Sequence, residues 1–146
     1  MKNRAILLAI IICVVLSCQY QTTNENDKIE IKKVVTDYYE NLMKFDFNKI
    51  RSICSFDFQL VESSGIYPLE EYIGFLKPDV GKLKIEYSLQ ELKLKIDNKA
   101  SWITYKKKTK IITDNKEILL EARESAVLTK KSNKWKLRLI HSSSIK

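Results

Sequence analysis

The stretch that most restricts what this chain can become is its last one, Ile118 to Ser143. It reads I-L-L-E-A-R-E-S-A-V-L-T-K, then the polar Lys131-Ser132-Asn133-Lys134, then W-K-L-R-L-I-H-S-S. In the second half Trp135, Leu137, Leu139 and His141 alternate with Lys136, Arg138, Ile140 and Ser142. A period of two marks a strand with one buried face, so the segment predicts a β-hairpin. The face is apolar until it reaches His141, the single histidine of the chain.

The rest of the domain prepares a surface for that hairpin to close. Ile31, Val34, Val35, Tyr38, Leu42 and Phe45 follow helical spacing and predict one long amphipathic helix over 27–45. A short helix is expected over Asp46–Ser52 with Asp46 as its N-cap. Phe56, Phe58 and Leu60 alternate with Asp57 and Gln59 and predict a strand, closed by the turn Ser63-Ser64-Gly65. Pro68 opens a third helix, which Lys77-Pro78 ends. Then Leu83, Ile85, Tyr87 and Leu89 hold one parity while Leu92, Leu94 and Ile96 hold the other. That phase switch at Gln90-Glu91 predicts a β-bulge, which bends a strand and lets a sheet curl. Turns at Asp97-Asn98-Lys99 and Asp114-Asn115-Lys116 bound the next strand, Ala100–Ile112. Helices first and a meander afterwards give an α+β domain, with the N-terminal helices packed on a strongly curved antiparallel sheet.

The start of the chain reads differently. Met1-Lys2-Asn3-Arg4 is a basic opening, and Ala5 to Leu16 is an unbroken apolar run, too short to span a membrane and suited to a signal-peptide core. It ends in V-L-S-C at Val15–Cys18, which resembles the bacterial lipobox. The resemblance implies a lipoprotein signal peptide at 1–17, cleavage before Cys18, acylation of that cysteine by palmitate-type chains, and a lipidated tether over 18–26. The expected location is therefore extracytoplasmic: a membrane-anchored protein of the periplasm or cell envelope, with the membrane as a partner. Cys13 leaves with the signal and Cys18 carries lipid. Cys54 is then the last of the three cysteines and can form no internal disulfide. Its apolar neighbours make it a buried, inert thiol rather than a nucleophile.

Charge narrows the partners little. Taking Lys2 and Arg4 from the 26 basic side chains leaves 24 against 18 acidic, about +6. Export disfavours nucleic acid. Lys106-Lys107-Lys108 and Lys110 read as a solvated strand end, with an anionic membrane or wall polymer as the functional alternative. One histidine and one free cysteine give no metal-ligand spacing. No phosphate loop or nucleophile elbow occurs, and no cofactor is implied.

The order of elements over roughly 27–145 resembles the nuclear transport factor 2-like superfamily, and its SnoaL-like members in particular. The motifs that carry the resemblance are V-V-x-D-Y-Y-E at Val34–Glu40, A-S-W-I-T-Y at Ala100–Tyr105, and E-S-A-V-L with W-K-L-R-L-I-H-S-S at Glu124–Ser143. The last is also similar to the association domain of calcium/calmodulin-dependent kinase II. The resemblance implies a SnoaL-like domain over 27–146 with a cone-shaped interior. Its expected role is binding a small ligand or protein partner, and a homodimer stays open. Tyr38, Tyr87, Trp102, Glu124 and His141 are the residues expected to line the cone.

Two rival roles remain. One is an isomerase, dehydratase or cyclase that uses His141 and Glu124 as acid and base. The other is a structural envelope protein with a basic face. The pair depends on register. A two-residue loop at Ser132-Asn133 sets His141 opposite Glu124, whereas a three-residue bulged turn sets it opposite Arg123. The apolar parity of Leu120, Ala122, Ala126 and Leu128 favours the first.

Anchoring can be checked directly. Cys18→Ser is expected to release the protein from membranes, and blocking the lipoprotein signal peptidase should accumulate precursor. Recovery of the unaltered protein in the soluble fraction would refute the lipobox reading.

Overall fold

The computed structural model describes residues 25–113 and 116–145. The expected signal peptide, Cys18 and the tether up to residue 24 lie outside the described residues, as do two residues of the Asp114-Asn115-Lys116 turn.

Helix α1 covers residues 25–43. It takes in the last two residues of the expected tether and stops two residues short of the expected end. Ile31, Val35, Tyr38, Tyr39 and Leu42 form its buried stripe. Phe45 has a positive φ of 53° and breaks the run. Asp46 then accepts a hydrogen bond from the Lys49 amide at 3.0 Å and caps α2, Phe47–Ile53.

The chain continues through β1 (Cys54–Glu62), β2 (Gly65–Pro68) and α3 (Leu69–Leu76), which ends in a short 3₁₀ turn at Lys77–Asp79. Four long strands follow: β3 (Lys84–Asp97), β4 (Ala100–Thr113), β5 (Lys116–Lys131) and β6 (Lys134–Ser144). Strand β2 escapes sequence reading because it has four residues and ends in proline. All six strands form one sheet, ordered β2-β1-β6-β5-β4-β3. Strand β1 runs parallel to β6, and the other neighbours are antiparallel. The N-terminal helices pack on this curved sheet, as expected for the α+β class.

Bulges decide which side chains face the helices. The first lies where the parity of β3 switches: pairing with β4 shifts between Gln90 and Lys93, and Glu91 takes a φ of 56°. The second was not foreseen. Ser132 and Asn133 do form a two-residue turn, with φ of 48° and 59°, and Trp135 and Leu137 do face Lys130 and Leu128. Beyond Leu137 the register slips, so that Leu139 faces Val127 and Ile140 faces Ala126. Arg138 is the extra residue, and Ile140 rather than Leu139 enters the core. A third irregularity, between Cys54 and Gln59 of β1, turns Phe56 outward. Phe56 is 94% exposed, although its spacing had grouped it with the buried Phe58 and Leu60.

The last hairpin is fastened to the start of α1. Trp135 is 2% exposed. Its indole N–H donates to Asp27 Oδ1 at 2.9 Å, and Lys130 Nζ lies 2.5 Å from the same oxygen. Burial alone would raise the Asp27 pKa, but hydrogen bonds from Lys130 and Trp135 outweigh it and hold the carboxyl below its ordinary value. The stability this carries is present at neutral pH and fades as pH falls through the lowered pKa. Cys54 is buried, and desolvation pushes its thiol up to about 12 despite the charge of Lys136, so the inert reading stands.

The two tryptophans separate the two faces. Trp135→Ala should cost about 3–5 kcal/mol, since a large cavity is left in the core. Trp102, 46% exposed on the opposite face, should cost no more than about 1 kcal/mol as alanine. Equal losses in denaturant melts would show the faces to be wrongly assigned.

Candidate functional site

The inward parity of β4 runs Ser101, Ile103, Tyr105, Lys107, Thr109. Tyr105 stands opposite Glu124 of β5, and Lys107 opposite Ala122. The Lys107 ammonium thus reaches one step along the strand to the neighbouring carboxylate. Nζ lies 2.6 Å from Glu124 Oε1, with 18% of the lysine side chain and none of the glutamate side chain exposed. The approach lies outside hydrogen-bond geometry, so Oε1 is held by charge without completing a bond.

Helix α1 supplies the other half. The Tyr39 hydroxyl donates to Glu124 Oε2. It also lies 3.0 Å from the Tyr105 hydroxyl. Tyr39 has one proton, already directed at the carboxylate, so Tyr105 is the donor in that second bond. Burial raises the pKa of Tyr39 well above the usual tyrosine range, with Tyr105 and Glu124 adding to it; burial and Glu124 do the same for Tyr105. Both phenols therefore stay protonated and act as donors. Tyr87 of β3 lies tilted against Tyr39 with ring centres 5.1 Å apart, and Lys107 Nζ sits 5.4 Å from the Tyr39 ring centre and 5.7 Å from that of Tyr87. The result is a buried ion pair walled by aromatic rings.

A cleft of about 270 Å³ opens against that wall. Tyr39 and Tyr87 line it together with Met43, Leu89 and Leu92, and Thr36 and Glu40 add polar groups. Tyr87 also borders a second cleft of about 300 Å³, over Thr109, Leu119 and Leu120.

The expected site residues divide. Tyr87 borders both clefts, and Glu124 lies at the centre of the charged cluster. Tyr38 belongs to the core, edge-on to Tyr39 and tilted against Phe58. Trp102 is on the outer face, opposite Val127, and does not reach the cone. His141 is exposed and pairs with Ser125, while Glu124 pairs with Ser142. The expected His141–Glu124 opposition is corrected by the bulge at Arg138, which moves the histidine to the outer face.

Lys107 was missed as a site residue because it sits in a run of lysines. Its signal was present: the parity of Ile103 and Tyr105, carried two residues further, points it inward. Its neighbours have partners of their own, Lys106 and Lys108 with Glu121 and Lys110 with Glu117. Among the described residues, no cluster of His, Cys, Asp or Glu could hold a metal ion.

The chain belongs to the SnoaL-like domain family, whose model matches residues 31–146. No curated protein sequence matches it significantly. Solved structures share the fold at low identity. A protein assigned as a scytalone dehydratase from Novosphingobium aromaticivorans superposes with a TM-score of 0.78 at 11% identity, over 86% of this chain and 89% of that one. A protein assigned as a dehydratase of the nuclear transport factor 2-like family from Streptomyces avermitilis gives 0.75 at 13%, over 84% and 99%. The association domain of the C. elegans calcium/calmodulin-dependent kinase II gives 0.70 at 19%, over 82% and 96%.

Breaking the ion pair on one side tests its burial. Glu124→Gln should destabilise by about 3–5 kcal/mol, because it strands a buried ammonium, and adding Lys107→Met should recover most of that loss. Additive losses in the double variant would mean that the two groups do not interact.

Proposed function

We propose that this protein is an exported, lipid-anchored SnoaL-like domain that binds a small ligand in the cleft between α1 and β3, without transforming it. The observation that carries the reading is the cleft itself. It is apolar over Met43, Leu89 and Leu92, aromatic over Tyr39 and Tyr87, and backed by the Lys107–Glu124 pair. Mostly apolar linings with a few placed polar groups are what small-molecule sites present. The deeper cone is filled by Tyr38, Phe58, Trp135 and Leu137, which leaves the ligand at the open side of the core.

Binding without turnover is favoured by how the carboxylate is held. One Glu124 oxygen accepts from Tyr39, the other lies against the Lys107 ammonium as an ion pair, and the imidazole expected as its partner lies on the outer face. The lipid anchor rests on V-L-S-C at Val15–Cys18 and places the domain outside the cytoplasm.

Leu92→Trp fills the cleft. Small apolar ligands detected by protein-observed NMR should perturb Tyr39, Tyr87 and Leu89 in the native protein and bind at least tenfold more weakly to Leu92→Trp. Ligands that instead map to the outer face around Trp102, or an absence of binders, would sink the proposal.

A further inference from the structure

The outer face of the sheet carries a groove of its own, and we infer that it binds an acidic sugar, a ring rich in hydroxyls that bears a carboxylate. The groove has a volume of about 270 Å³ and is lined by Glu91 and Lys93 of β3, Thr104 of β4, Arg123 and Ser125 of β5, and His141 of β6. Register places these side chains. Lys93 faces Thr104, Thr104 faces Ser125, and Ser125 faces His141, so one row crosses four strands. At about 4.8 Å per strand the row is roughly 14 Å long. The bulge at Arg138 is what brings the histidine into it. Strand β3 is the edge of the sheet, so the row is open past Lys93 and a chain longer than the groove can run out there. This face is opposite the cleft, so either reading can fail without the other.

The chemistry of the row selects the ligand. The hydroxyls of Thr104 and Ser125 each donate and accept, and a neutral imidazole does both through its two nitrogens. Arg123 and Glu91 touch through one nitrogen and one oxygen at 3.4 Å, with both side chains more than half exposed, which leaves further N–H groups and the second carboxylate oxygen for a ligand. Sugar hydroxyls also donate and accept, so they can use every group of this set. A bare anion would use only the cations. Charge adds the acid: Lys93 and Arg123 stand against the single Glu91, an excess of one positive charge. One carboxylate balances it, whereas a phosphate monoester would bring nearly two charges beside Glu91. Trp102 supplies the ring contact. It is 46% exposed, two residues from Thr104 on the same face, and stands opposite Lys95. An indole offers a broad apolar face beside a polar surface, which suits the C–H face of a sugar ring. Among the described residues neither Lys93 nor Lys95 is held in an ion pair, so Lys95 is placed for the acid of a following ring.

Four probes separate the possible ligands: trigalacturonate, the uncharged trisaccharide maltotriose, tricarballylate, which has the same number of acid groups without rings, and trithymidylate. Binding is measured by calorimetry on the full chain in nanodiscs of uncharged lipid, with empty nanodiscs subtracted. Trigalacturonate should bind about tenfold tighter than each of the others, the size expected of one hydrogen bond to a charged group. Lys93→Gln should remove that advantage over maltotriose, and Trp102→Ala should weaken both sugars about equally. Lys32→Gln, an exposed lysine on α1 that lowers the net charge by the same amount, should leave binding unchanged. The imidazole signals of His141, the single histidine, should shift when trigalacturonate binds the native protein, a readout that needs no variant. Equal losses in Lys93→Gln and Lys32→Gln, or unshifted imidazole signals, would show that the sugar is not in this groove. Equal or tighter binding of tricarballylate would reduce the face to a general anion patch, and of trithymidylate would make it a nucleic-acid surface. A dimer in detergent that Trp102→Ala separates would mean that a second copy covers the groove. Each of these results, or no binding by trigalacturonate, overturns the inference.

Discussion

The interior of this domain is arranged around a carboxylate with no exposed surface. An ionised group taken out of water must be paired and hydrogen-bonded, or it will not stay charged. Glu124 meets this requirement with one residue from each of two elements: Lys107 from the neighbouring strand and Tyr39 from the helix that lies across the sheet. Helix α1 thus does more than cover apolar surface. Tyr39 also holds its ring against Tyr87 and its hydroxyl against Tyr105, so helix, β3, β4 and β5 meet at one point. Moving the helix by one residue would take the hydroxyl away from the carboxylate.

Curvature makes that convergence geometrically available. Each bulge adds a residue to one strand and reverses the faces beyond it. The bulge at Glu91 keeps Leu89 and Leu92 both inward although three positions separate them, and both then line the cleft. The bulge at Arg138 brings Ile140 into the core and sends His141 out. A single inserted residue therefore decides whether the one histidine can take part in interior chemistry.

Polar groups are distributed unevenly around the cone. Its deep end is filled by Trp135, Leu137 and Phe58, and the helix start is fastened there through Asp27. Its other side carries the charged cluster and the clefts. One end thus supplies stability, and the other holds the ion pair in poorly solvated surroundings, where each electrostatic contact counts for more than in water.

Much of the fold was legible in the residues. The stripe of α1, the Asp46 cap, the phase switch in β3 and the two-residue turn at Ser132-Asn133 are local signals, and local sterics and burial determine them. Tyr87 and Glu124 were legible as residues of the interior, whereas Trp102 and His141 face outward. What the residues did not determine was the register beyond Leu137, because W-K-L-R-L-I-H fits both continuous alternation and a bulge. Packing chose between them: Ile140 fills space against Ala126 that Leu139 would otherwise take. Nor did the residues determine the partner of Glu124. His141 and Lys107 are both candidates along the chain, and only the assembled sheet, with α1 laid across it, placed the ammonium beside the carboxylate and the imidazole on the far side.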